Sequence, residues 1–208
     1  MRIKAILFDA DGVVQRPTAD RQAQFDALID GPDEEVSKFK SELFAVERPC
    51  HNGGDFVSSM RQVVARWKCT GSVEDVLRAW TAIEIDPSIA ALVMAVRSSG
   101  MPCHLATNQE PYRAQHMRNV MNYGDLFERL FFSCEMGCSK PDPRYFSLIL
   151  DSLHLEPGSV LFIDDVAANV AAAVSVGIRG EVFAPPSVED AAAEMRRLLA
   201  RHHILIGD

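Results

Sequence analysis

Two carboxylates one residue apart, Asp9 and Asp11, follow directly on the apolar run Ile6-Leu7-Phe8. A strand that ends by presenting such a pair suits a reaction needing a nucleophile beside a proton donor. Asp9 is placed as the nucleophile, because a carboxylate that attacks phosphorus forms an aspartyl phosphate and divides one hard step into two. Asp11 is placed as general acid and then general base, protonating the leaving alkoxide and later deprotonating water. That role predicts a carboxyl pKa raised by burial or by anionic neighbours. Gly12 lets the backbone turn tightly with no side chain in the way. Asp-x-Asp also occurs in ordinary turns and calcium loops, so the pair gains meaning only from distant partners.

Three other stretches supply them, each after an apolar run. Thr107-Asn108 offers a hydroxyl and a backbone N–H for the equatorial oxygens of a transferring phosphoryl group. Lys140, stiffened between Ser139 and Pro141-Asp142-Pro143, offers a charge to neutralise Asp9 and phosphoryl oxygens. Asp164-Asp165 end a fourth run, and Asn169 lies one helical turn past Asp165. Adjacent oxygen ligands near Asp9 make a hard site suited to Mg²⁺. Without a cation, converging carboxylates would repel a phosphate; with one, they bind and polarise it.

These stretches must be carried by strands whose carboxyl ends share one edge, where open α/β sheets place their ligands. Strands are predicted at Ile3–Phe8, Pro102–Ala106, Leu130–Ser133, Val160–Ile163 and Glu181–Ala184. Their near-continuous apolar character suits parallel strands buried on both faces. Helices open at Asp86-Pro87 and Asp142-Pro143, run from about 166 to 176 before Gly177, and begin again at the capping-box variant Ser187-Val188-Glu189-Asp190. Strands alternating with helices give a doubly wound parallel sheet. From Gln15 to Ile85 the rhythm breaks, with no convincing strand and four helices at about Ala19–Ile29, Asp33–Val46, Asp55–Lys68 and Val73–Thr81. Their apolar stripes predict a small bundle core. Two linkers beside Asp11 tether this insertion, as a mobile lid would be. Arg48, His51 and Asn52, before Gly53-Gly54, form a polar turn able to reach a leaving group or to serve as a plain helix–helix turn.

The chain has 208 residues, 48% of them hydrophobic, enough for one α/β core and an insertion. No stretch approaches the roughly 20 apolar residues of a membrane span. The start runs straight into a strand, so no secretory leader is expected. Five cysteines without a tight framework favour reduced cytoplasmic thiols, and Cys134 and Cys138 lack the second Cys/His pair of a metal site. The net charge of −8, with no basic block, argues against a nucleic-acid surface. It also means that an anionic substrate must be drawn by a locally positive site.

The whole pattern resembles the haloacid dehalogenase-like hydrolase superfamily, in its phosphatase branch with a small helical cap. Phe8-Asp9-Ala10-Asp11-Gly12-Val13, Ala106-Thr107-Asn108, Ser139-Lys140-Pro141-Asp142-Pro143 and Phe162-Ile163-Asp164-Asp165 with Asn169 carry the likeness. It implies a Rossmann-like parallel sheet with the first strand central and the fourth beside it. It implies a core of residues 1–14 plus 86–208 and a helical cap of 15–85 inserted after the first strand. It implies Mg²⁺ on the Asp9 carboxylate, the Asp11 backbone carbonyl and Asp165, with Asp164 and Asn169 assisting directly or through water. Haloacid dehalogenases themselves lack the second aspartate, so Asp11 speaks against carbon–halogen cleavage. The stretch from Thr107 to Asn169 looks most like bacterial sugar-phosphate phosphatases, including those acting on glucose 1-phosphate. The function expected is Mg²⁺-dependent hydrolysis of a small phosphorylated metabolite by a monomer or homodimer. A phosphomutase resembling β-phosphoglucomutase, or a non-catalytic phosphate-binding regulator, is the alternative.

Overall fold

A computed structural model describes residues 2–67 and 69–204. Strand β1 (Ala5–Phe8) passes through one tight turn, in which Val14 N–H bonds Ala10 O at 2.8 Å, into β2 (Gln15–Pro17). Four helices follow: α1 (Arg21–Asp26), α2 (Asp33–Cys50), α3 (Phe56–Trp67) and α4 (Val73–Trp80). Strand β3 (Ile83–Ile85) then returns antiparallel to β2. The remainder alternates: α5 (Pro87–Ser98), β4 (Cys103–Thr107), α6 (Pro111–Asn119), α7 (Tyr123–Leu126), β5 (Arg129–Phe132), α8 (Ser133–Met136), α9 (Pro143–Leu153), β6 (Val160–Asp164), α10 (Ala167–Ser175), β7 (Arg179–Val182) and α11 (Ala191–Arg201).

The main sheet is parallel throughout, in the order β5-β4-β1-β6-β7. The first strand is central because it is apolar at every position and buried on both faces. Ile6 and Phe8 face one apolar cluster with α5, α7 and α11; Leu7 faces another with α9 and α10. That alternation is the two-residue period of a strand acting across a covered sheet. The register pairs Phe8 with Leu105 on one side and Ile163 on the other. One residue further on, Asp9 stands level with Asp164, and Asp9 N–H still bonds Ile163 O at 2.9 Å. The acidic residues therefore meet as a direct consequence of strand order.

The helical insert has its own core. Trp80 is fully buried, with the rings of Phe25, Phe44 and Phe56 centred 6.1, 5.2 and 5.1 Å from it. Each such aromatic removes some 150–250 Å² from water, so these few side chains dominate the insert's cohesion. Ser72 and Asp75 form a reciprocal capping box at the start of α4.

Several element boundaries differ from expectation. The Gln15–Ile85 stretch does contain strands: three-residue runs are too short to leave a periodic signal, and β2 and β3 pair through the backbone, Gln15 opposite Ile85 and Pro17 opposite Ile83, with Arg16 reaching Glu84 at 2.9 Å and Asp86 at 3.0 Å. Helix α1 is shorter than expected. Helix α2 continues past Val46 through Pro49, which forfeits only one last-turn bond. The expected end of α3 at Lys68 lies outside the described residues. The last strand lies two residues earlier, at Arg179–Val182, and Ser187 and Asp190 bond each other in the turn before α11, which starts at Ala191. No helix among the described residues is long and apolar enough to cross a membrane.

Candidate active site

At the carboxyl edge of the sheet, Lys140 lies between two aspartates. Its Nζ is 2.7 Å from Asp9 and 2.6 Å from Asp164, and its side chain is 1% exposed. An ammonium so buried is tolerated only when paired. Burial acts to lower the lysine's pKa, but Asp9 and Asp164 outweigh it and hold it above the ordinary value. Asp9 is itself pushed up to about 7: burial dominates, Asp164 and Asp11 add to it, and Lys140 opposes.

Asp164 spends both oxygens on fixing this arrangement. Besides Lys140, it accepts from Val166 N–H at 2.7 Å and from the Asn169 amide at 3.1 Å. Asp165 is exposed and reaches back over Gly12, where a Cβ would collide with its carboxylate. Gly12 has φ +76°, so both its backbone and its empty side position are needed there. Asp9, Asp164 and Asp165 bring oxygens within 4.8 Å of one another. Three carboxylates against one ammonium leave negative charge in excess. An all-oxygen donor set of this kind fits a hard divalent cation such as Mg²⁺.

Asn108 does more than the sequence indicated. Its side-chain amide accepts from Lys140 N–H at 2.9 Å and donates to Lys140 O at 2.8 Å, clamping the lysine loop to the end of β4. Thr107 is buried, and its hydroxyl accepts a long 3.3 Å bond from Gln109.

Asp11 departs from expectation. Its carboxylate is not raised in pKa: burial acts upward, but Arg113 and bonds from Gln15 and Gln109 prevail and hold it below the usual range. Arg113 lies 2.6 Å away, Gln109 donates at 2.7 Å and Gln15 at 2.9 Å. The Tyr123 hydroxyl donates to Gln15 Oε1 at 2.6 Å, which turns the Gln15 amide nitrogen toward Asp11. The sequence singles out none of these four: Gln109, Arg113 and Tyr123 stand about a hundred residues along the chain from Asp11, and Gln15, though only four residues away, is an ordinary polar residue in a strand too short to leave a periodic signal. A signal existed at Glu110-Pro111, an acidic residue before proline like Asp86-Pro87 and Asp142-Pro143. Glutamate is a less favoured N-cap, yet here it accepts from Tyr112 and Arg113 N–H at 2.6 and 2.8 Å.

The insert rests against this edge of the core. Tyr112 packs on the insert's apolar cluster, and Gly53 approaches Cys134 O so closely that a Cβ would lie 3.2 Å from it. Glu47 of α2 stands 4.0 Å from Arg113 and 3.5 Å from His51. His51 thus faces its own helix, its backbone N–H on Arg48 O at 3.3 Å, while the exposed Arg48 side chain makes no hydrogen bond or ion pair among the described residues. The cation the insert does present near Asp11 is Arg21, which donates to Ala79 O at 3.1 Å and lies over Phe25 and Trp80. Burial, then the charge of Arg113, brings Arg21 down to about 10.

Residues 3–177 match the family model described as haloacid dehalogenase-like hydrolase. The chain belongs to this family. It is 22% identical, over 95% of its length and 98% of the relative's, to a D-ribitol-5-phosphate phosphatase of Bacteroides thetaiotaomicron. Of three other curated relatives the chain spans only 10% to 48%. Among solved structures, a family enzyme from Bacteroides thetaiotaomicron in complex with magnesium and inorganic phosphate superposes with a TM-score of 0.70 at 20% identity, covering 90% of this chain and 96% of that one. A dehalogenase superposes with a TM-score of 0.71 at 17% identity, covering 95% and 97%. At such identities the likeness establishes the fold, which these enzymes share across different reactions.

Proposed function

We propose that this hydrolase is a Mg²⁺-dependent phosphatase of small phosphomonoesters, with residues 15–85 serving as its cap. The observation that carries this reading is the second carboxylate. Asp11 stands at the same strand end as Asp9 and is held by Gln15, Gln109 and Arg113, while Asp9 is held by Lys140. A reaction that displaces halide needs no proton donor for its leaving group; one that displaces an alkoxide does. The phosphatase activity of the full-length relative and the magnesium and phosphate in the superposed enzyme support the same choice.

Asp9 attacks phosphorus, the bond to the leaving oxygen breaks, and Asp11 gives that oxygen its proton. Asp11 then takes a proton from water, whose oxygen attacks phosphorus, and the bond to Asp9 breaks to free phosphate. Thr107 and Lys140 hold the phosphoryl oxygens during both displacements. Asp9 and Asp165 are the carboxylates with capacity for the ion, since Asp164 is spent on Lys140, Val166 and Asn169. When bound, Mg²⁺ supplies positive charge to the transferring group. Asp11 bears its charge in the resting state, so the proton it gives the leaving oxygen is first taken up from water at its part-exposed side chain, and the hydrolytic water later returns one.

Phosphate release from a panel of sugar, polyol and aryl phosphates with Mg²⁺ tests the reading. Asp9→Asn should fold normally and lose turnover by about 10³-fold or more, the scale of deleting a nucleophile. Release from no member of the panel would overturn it.

A further inference from the structure

Arg113 is an unusual residue to find inside a seam between two units. Its side chain is 5% exposed, and its Nε has no hydrogen-bond partner. A guanidinium in that position costs several kcal/mol unless carboxylates compensate it. Two do, from opposite sides: Asp11 of the core at 2.6 Å and Glu47 of the cap at 4.0 Å. The bonds at Asp11 are unequal. Oδ1 receives both Arg113 and Gln15, whereas Oδ2 receives only Gln109. The aspartate side chain remains 42% exposed, so its less-occupied oxygen can be approached.

We infer that Arg113 is a positioning residue: it holds Asp11 with Oδ2 as the working oxygen and, through Glu47, ties that orientation to the seating of the cap. This rests on the phosphatase reading above. Arg113 touches neither phosphorus nor the leaving oxygen; it acts through Asp11. Without it, Oδ1 keeps only the neutral Gln15 amide and the carboxylate loses its one charged anchor, free to turn about its own side-chain bonds. A misplacement of one ångström at a reacting group costs about 100-fold.

The test compares kcat/KM of Arg113→Gln and wild type, with Mg²⁺, on two substrates that differ in leaving-group basicity. Nitrophenyl phosphate departs as a stable anion and has little need of a proton; an alkyl phosphate cannot depart without one. The alkyl phosphate should lose about 10- to 100-fold and nitrophenyl phosphate less than about threefold. Arg113→Lys, which keeps the charge but loses the planar fork, should lie between. Should Arg113→Gln fail to fold, judged by circular dichroism and Tm, Glu47→Gln replaces it; removing only the cap's hold, it should show the same selective loss at about threefold. Equal losses on both substrates, no loss, or a gain on the alkyl phosphate would overturn the inference and leave the phosphatase reading standing. If the wild-type enzyme released phosphate from neither, both would fall.

Discussion

At the scale of single residues, the site is governed by uncompensated charge. Lys140 neutralises Asp9 and Asp164 together, and no other cation touches either carboxylate among the described residues. Lys140→Met keeps the length of the side chain but strands two buried carboxylates. Removing one partner of a buried pair costs about 3–5 kcal/mol, so this variant should unfold at distinctly lower urea concentration than wild type. Divalent cation should return part of that stability, because Asp9, Asp164 and Asp165 then have only the ion to offset them. The check is the Mg²⁺-induced rise in Tm, expected to be larger in Lys140→Met than in wild type. An equal or smaller rise would show that the ion does not offset the charge Lys140 leaves behind at Asp9 and Asp164.

At the scale of elements, strand ends and loops bring these residues together. The Asn108 clamp joins the end of β4 to the loop that carries Lys140. Asn108→Ala removes two bonds to that backbone and should cost about 1–3 kcal/mol. The same variant should lower kcat by more than it alters KM, since the lysine is displaced and the rest of the substrate's surroundings stay. Steady-state kinetics beside urea denaturation separate the two effects. The sheet and its acidic edge were legible in the sequence because β1 and β6 are apolar runs and β4 is broken only by His104, each leading into the residues that carry the chemistry. What was not legible is informative in the same terms. Strands β2 and β3 exist through backbone pairing between segments some seventy residues apart, bridged by Arg16 and its two carboxylate partners, an arrangement that no local pattern announces. Arg113, Gln109, Gln15 and Tyr123 are ordinary polar residues by spacing. They acquire meaning only when folding closes some one hundred residues of separation between Asp11 and Arg113 or Gln109. The low pKa of Asp11 follows from that closure, which is why the sequence suggested the opposite.

At the scale of the whole molecule, two buried groups outside the carboxylate cluster make the stability depend on pH in opposing ways. His104 lies in β4 at 4% exposure with Nδ1 unpartnered, and burial, helped by Arg129 and Arg97, brings it down to about 4 from 6.5. Glu110 is fully buried; burial, with Glu47 adding, takes it up to about 7 from 4.5 despite two backbone bonds and Arg113. Between pH 4.5 and 6.5 the unfolded chain binds a proton at the histidine that the native state refuses. Over the same range the native state keeps a proton at the glutamate that the unfolded chain releases. Stability rises with pH wherever the unfolded state binds the more protons and falls where the native state does, so the histidine favours folding as pH rises and the glutamate favours it as pH falls. The two slopes, each at most roughly 1 kcal/mol per pH unit, offset one another in the wild-type protein. Each single variant uncovers the other group. Glu110→Gln retains a carbonyl acceptor for the α6 cap, and relative to wild type its stability should increase as pH goes from 4.5 to 6.5. His104→Leu, which gives up no hydrogen bond, should show the reverse, losing stability relative to wild type over the same interval. Taking differences from wild type removes the contribution of Asp9, which both variants share. Urea titrations at four or five pH values measure both slopes. Parallel curves for the two variants would mean that neither group changes its proton affinity on folding.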